Sequence, residues 1–317
     1  MKTNANNNVN KTRRMALVAL SLVVVLLLSV GVTLAWFINY QLTQLGGSTV
    51  TVTGSRVLQF SFFDEENPDQ SVYVSQATQS FEEYGLTHVT GNGIDFWIPS
   101  LEQQDSSASV DVGGTWTKAL ATDGTAPGDY ISLCLKFFSE DVMDVYLSAE
   151  SSVLPATESN PSNYGDFSRN NIASASRISF LNTTFDQEWN KTEQFNFVWI
   201  PNVNGQLIET NGRFSFNLNG TPETSYSYYY INSNDEKVSA TFNATQYITA
   251  PTAQIGAEAP QDGRGYVTTL QEGENGQYTA YVTINIWVEG CDRECRRALA
   301  GGQFDVYLQF IGITTQQ

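Results

Sequence analysis

The sequence contains a single histidine, His88, in 317 residues. That scarcity removes most catalytic chemistry at once. A zinc hydrolase site of the usual kind cannot be assembled from one imidazole, and there is no H-E-x-x-H run. Ser–His–Asp and Cys–His nucleophile systems would all have to share His88, and no G-x-S-x-G elbow marks a serine for it. A phosphate loop and a dinucleotide glycine fingerprint are missing as well. His88, in GLTHVTGNG, reads as a structural or exposed residue. Cysteine is nearly as scarce. Cys134, Cys291 and Cys295 allow at most one internal disulfide, which excludes a cysteine-stapled scaffold. Charged residues are only 15 % of the chain, and positive charge is the rarer sign: 16 Lys and Arg against 33 Asp and Glu, a net of −17. Four of the cations, Lys2, Lys11, Arg13 and Arg14, fall in the first 35 residues, where there is no acid, so the rest is more acidic still. Such a surface repels nucleic acid and anionic lipid headgroups, favours solubility and attracts divalent cations.

What is present begins with an apolar run. From Met15 to Ser55 there is no Asp, Glu, Lys or Arg, and the strongly apolar part extends to about Ile38. Basic residues before such a run keep the N-terminus in the cytoplasm and send the remainder out. Two readings stand. Thr33-Leu34-Ala35 supplies the small residues of a signal-peptide cut, whereas the length of the run, ~30 Å as helix, suits a permanent transmembrane anchor. In the anchor reading Trp36 and Tyr40 suit the aromatic belt of the membrane interface.

Beyond residue 45 the dominant signal is strand. YISLCLKFFS places Ile131, Leu133, Leu135 and Phe137 on one face, and DVMDVYLSAE does the same for Met143, Val145 and Leu147. The S-E-D between them predicts a hairpin. YVTINIWVEG aligns Val282, Ile284, Ile286 and Val288; FDVYLQFIGI aligns Phe304, Val306, Leu308 and Phe310. Further strands are expected at 57–62, 94–98, 195–200, 214–218 and 226–231. Helix is expected only in CDRECRRALAG, ending at Gly301, and more weakly in QATQSFEEYG. The whole reads as an all-β chain, one elaborated β-sandwich over residues 48–317, preceded by a signal or anchor (1–35) and a mature N-terminal segment (36–47). Residues 36–43 themselves alternate, with Trp36, Ile38, Tyr40 and Leu42 on one side, followed by the flexible pair Gly46-Gly47. A strand this apolar gains by joining a sheet edge, in its own sandwich or in a neighbour's, and the second choice repeated head to tail builds a filament.

Few residues invite a ligand. Asp64, Glu65, Glu66 and Asp69 form one acidic cluster and Glu289, Asp292 and Glu294 another; each reads as a solvated loop or as a calcium site. Cys291 and Cys295, four apart, would lie within disulfide range on a helix, or stand as two thiols. Cys134, in mid-strand, reads as a small buried hydrophobe. SYSYYYI shows Tyr226, Tyr228 and Tyr230 on one side, either a core face or a row for stacking on sugars or on another subunit.

The basic start, apolar run and T-L-A-W-F resemble the export signals of the TasA/camelysin family, secreted surface and biofilm-matrix proteins of Gram-positive bacteria. TAPGDYISLCLKFFSEDVMDVYLSA resembles the family's Pro-Gly-Asp turn and two strands. Here the triplet is Pro127, Gly128 and Asp129, where Pro presets the turn, Gly takes a positive φ and Asp bonds to backbone. INIWVEGCDREC…GGQFDVYLQF is similar to the C-terminal edge of related clostridial surface proteins. The resemblance implies cleavage of Ala35–Trp36 by a signal peptidase and a jelly-roll-like sandwich, secreted, often polymerised into fibres or kept at the cell surface. Camelysin-type proteins have carried a metallopeptidase label, which nothing in these residues supports.

The expected function is therefore non-enzymatic: a secreted or cell-surface subunit of a fibre or biofilm matrix, self-associating into filaments by donating Trp36, Ile38, Tyr40 and Leu42 to a neighbour. The alternative is a membrane-anchored monomeric module binding a sugar or protein. No cofactor is expected, calcium aside.

Overall fold

A computed structural model describes residues 42–54, 58–63, 72–79, 85–98, 117–123, 126–201, 205–210, 213–217, 227–231, 237–241, 247–273, 276–292 and 294–314. Leu42–Gln317 clusters as one compact unit. In chain order the strands are β1 (Leu42–Gly54), β2 (Gln59–Phe62), β3 (Gln76–Gln79), β4 (Gly85–Gly91), β5 (Phe96–Ile98), β6 (Thr117–Lys118) and β7 (Ala121–Thr122). They continue with β8 (Tyr130–Ser139), β9 (Met143–Leu147), β10 (Ser152–Pro155), β11 (Ser176–Phe185), β12 (Lys191–Trp199), β13 (Gln206–Thr210) and β14 (Arg213–Asn217). The last are β15 (Ser227–Ile231), β16 (Lys237–Thr241), β17 (Tyr247–Ile248), β18 (Tyr266–Thr269), β19 (Gln271–Glu272), β20 (Tyr278–Glu289) and β21 (Gln303–Thr314). Among the described residues the helices are 3-10 segments, such as Arg169–Ala175 and Arg297–Leu299.

The strands make an all-β, sandwich-like body. In one sheet β1 pairs with β3 and β4 on one side and β21 on the other, and β21 continues to β9 and β10, with β18 beyond β9. In the second, β2 and β7 pair with β8, β8 with β20, β20 with β11, and β11 with β12. Strand β4 belongs to both: its first residues face β1, while His88 and Val89 pair in parallel with Val288 and Glu289 of β20.

Period-two burial explains the layers. Along β8 every second residue is buried: Ile131, Leu133, Leu135 and Phe137, then Ser139 at the end. Phe304, Val306, Leu308 and Phe310 line the inner face of β21. The two faces meet where Phe310 packs edge-on against Phe137 at 5.1 Å and Phe180 at 6.1 Å between ring centroids. Alternating strands thus bury one face in a shared core.

Three expectations are corrected. Strands β8 and β9 are not a hairpin: β8 pairs with β2 and β20, β9 with β21 and β18, so the S-E-D link is an arch between sheets. Phe137 and Met143 both enter the same core, from opposite layers. CDRECRRALAG is a series of tight turns closing on the short 3-10 segment, with Cys295 N donating to Asp292 O (3.1 Å) and Leu299 N to Arg296 O (2.8 Å); Gly301, at φ 78°, ends it. Within QATQSFEEYG, Gln76–Gln79 is strand β3.

Phe310→Ala is expected to cost about 3–5 kcal/mol in denaturant unfolding, as for a fully buried core aromatic. A loss below about 1 kcal/mol would show that the sheets do not meet at this ring.

Candidate functional site

The first candidate is the slot that holds the N-terminal strand. Strand β1 runs parallel to β21, from Gln44 opposite Gln303 to Gly54 opposite Gly312. Its other edge pairs with β3 (Ser48–Thr51 with Gln79–Gln76) and with β4 (Leu42–Gln44 with Thr87–Gly85). The first and last strands of the domain are therefore neighbours, and β1 is hydrogen-bonded on both sides. Val50 is buried in the main core. Gly46-Gly47 is not a flexible break ahead of the sandwich. The pair lies inside β1, at a register shift between Leu45 and Gly47, as an inserted residue in a ladder requires. Of the expected donor residues, Leu42 pairs with Thr87 of its own chain. Trp36, Ile38 and Tyr40, the Ala35–Trp36 bond and the apolar run lie outside the described residues.

The Pro-Gly-Asp turn supports this slot. Asp129 Oδ2 accepts from Leu120 N (2.7 Å), its N–H donates to Leu120 O (2.7 Å), and Thr87 of β4 donates its hydroxyl to Oδ1. The carboxylate thus bonds to backbone, as the sequence suggests. The glycine has another reason than a positive φ. A Cβ on Gly128 would lie 2.7 Å from Thr122 Cβ and 3.0 Å from Ala121 O, so close approach of β7 demands it.

The second candidate is the acidic knot at the end of β20. Glu289, Asp292 and Glu294 are all buried, contrary to a solvated loop. Each carboxylate is engaged by protein. Asp292 Oδ2 pairs with Arg177, whose Nη1 also donates to Ser174 O (3.1 Å) and Ser176 O (2.8 Å). Glu289 accepts from Trp287 Nε1 (3.0 Å) and Cys291 N (3.1 Å). Glu294 Oε1 accepts from Leu207 N of β13 (3.2 Å). This donor set is that of an internal ion pair, not an open cation site. Among the described residues no group of three or more His, Cys, Asp or Glu is placed to hold a metal. Asp64, Glu65, Glu66 and Asp69 lie outside the described residues.

Burial pushes the Glu289 carboxyl up, against hydrogen bonds such as that from Trp287 and the charge of Arg177. As pH rises the unfolded chain releases this proton first, so Glu289 costs stability upward from the acid range. Burial pushes the His88 imidazole below 6.5, opposed by the Asp129 carboxylate. Here the unfolded chain takes up the proton first, so stability falls as pH drops below 6.5 toward the folded value.

The remaining candidate residues divide. Cys291, half-buried, and Cys295, buried, are thiols in the turns that replace the expected helix; burial pushes the Cys295 thiol up. Cys134 is only half-buried, on the face opposite the core. The Tyr-rich strand is β15, paired with β16 in a hairpin apart from the main sheets; Tyr228 faces Ala240 and Tyr230 faces Val238 in register, and Tyr226 lies outside the described residues. Arg177 was invisible as a counter-ion, although an arginine inside ASRISFL is an anomaly in an otherwise apolar strand.

Comparison with protein-family models, with characterised proteins and with solved structures finds no match to this chain. The family resemblance therefore rests on its short motifs alone.

Arg177→Met should destabilise by about 3–5 kcal/mol by stranding Asp292, and Arg177→Met with Asp292→Leu should recover much of that loss in urea unfolding. With one histidine, the imidazole titration is read directly by NMR. A pKa below 6.5 is expected, and 6.5 or higher would contradict the buried placement.

Proposed function

We propose that the protein is a non-catalytic, secreted or cell-surface structural subunit with a jelly-roll-like sandwich, assembling into filaments through its N-terminal strand. The observation that carries this reading is β1 itself. It lies in an interior position, paired parallel to the C-terminal strand over ten register partners, and is the first strand of the sandwich in chain order, so the covalent chain joins it to the other strands through its C-terminal end. Removing such a strand opens a slot between β21 and β3 that a second copy's β1 fits residue for residue. An exchange of this kind is heterologous and leaves the next slot open, so it propagates. The donor is then β1 together with the apolar residues before it, in place of residues 36–43 alone.

One observation favours the alternative, a membrane-anchored monomeric binding module: β1 already fills its own slot. A cross-link separates the two. Thr51 and Gln309 are register partners of β1 and β21. Thr51→Cys with Gln309→Cys, oxidised in the assembled material, should give a ladder of covalent multimers on non-reducing gels. Monomers alone, or exported protein without filaments in electron micrographs, would refute strand exchange.

A further inference from the structure

The outer face of the second sheet carries an aromatic platform at its β2–β8–β20 end, and none of the features above explains it. Phe63, Phe185 and Tyr281 pack together at 4.8–5.0 Å between centroids. Trp189 leans on Phe63 and Phe185, 5.7 Å from each. Lys136 Nζ stands 5.4 Å over Tyr281, and Tyr73 packs on Phe138 beside it at 4.8 Å.

Trp189 is the anomaly. Its backbone has φ 62°, positive for a bulky side chain and unmatched by any other non-glycine among the described residues. The β11–β12 turn holds it there. Asp186 Oδ1 accepts from Glu188 N (3.0 Å) and Asn190 N (2.8 Å), Oδ2 accepts from Asn190 Nδ2 (2.8 Å), and Trp189 N donates to Asp186 O (3.1 Å). A glycine would fit this position without strain. The turn instead spends it on an indole that remains 45 % exposed.

We propose that this platform binds a neutral or N-acetylated hexose chain, with Trp189 as the stacking face. Size and surroundings select this ligand. Trp189 is the exposed ring of the Phe63–Phe185–Tyr281 cluster, whose other rings are buried or half-buried, and it is ringed by exposed Asp186, Gln187, Glu188 and Asn190, with half-buried Lys136 alongside. One exposed indole matches the apolar face of one sugar ring and falls far short of the ~800 Å² a stable protein interface covers on each side. The amide, carboxylates and ammonium around it are the donors and acceptors that sugar hydroxyls need. A net charge of −17 disfavours polyanionic glycans. The site does not depend on strand exchange.

The test is affinity electrophoresis of the full-length chain through gels cast with soluble β-1,4-glucan or β-1,3-glucan, with N-acetylglucosamine oligomers titrated by NMR. Binding to at least one is expected. Trp189→Gly should weaken it about tenfold or more, the worth of one lost aromatic contact, with the unfolding midpoint unchanged or raised. Trp189→Phe should keep part of it. Failure of all three glycans to bind, or equal binding by Trp189→Gly, overturns the proposal. So does a concentration-dependent self-association that Trp189→Gly abolishes without any glycan effect, since that assigns the platform to a second copy.

Discussion

The parallel pairing of β1 with β21 is the contact on which the architecture closes. Every other strand of the first sheet is reached through one of these two: β3 and β4 through β1, β9 and β10 through β21. Parallel neighbours need a crossover, and here the crossover is the whole domain. The cost of joining the ends is a loop-closure entropy that grows only slowly with length, and it is offset on both edges of β1, by β21 on one side and by the nearer strands β3 and β4 on the other.

The knot around Arg177 is a second constraint, local rather than global. It ties β11 to the turns between β20 and β21, across 115 residues of sequence. Asp292 pairs with the guanidinium and Glu289 feels its charge, while buried Glu294 accepts from Leu207 N. Burial itself pushes the Glu289 carboxyl up, against its hydrogen bonds and the charge of Arg177, so the site disfavours charge beyond the Arg177–Asp292 pair. Buried ion pairs are poor sources of stability but strong sources of geometry. The geometry they fix is the entry of β21, the strand that receives β1.

Much of this was legible in the sequence, and the dividing line is physical. The strands at Ile131–Phe137 and Phe304–Phe310 are legible because alternation along a strand is a local property. The β8–β9 link was misread because S-E-D serves a hairpin and an arch equally; which strand lies alongside is decided by the distant β20 and β21. The helix expected over Cys291–Gly301 fails for a related reason. By charge, Asp292 and Glu294 read as a solvated loop or a calcium site, and with either reading a short helix is reasonable. A partner on β11 and a backbone donor on β13 draw them inward and hold the chain in turns. Trp189 carries no comparable signal: FDQEWNK reads as an ordinary polar turn, and only the sign of its φ sets it apart.

Self-completion and exchange are closer in energy than they look. A β1 inserted into a neighbour makes the same ladder with β21 and the same burial of Val50 as one folded back on its own chain. The side-chain contacts cancel in the comparison. What remains is the translational entropy lost by joining two chains, set against any difference in the conformational entropy of the connection. The first term shrinks as local concentration rises, and tethering or crowding at a cell surface raises it. A sandwich that is complete alone in dilute solution and polymeric where it accumulates needs no second conformation of its core, only a change in which copy supplies the strand.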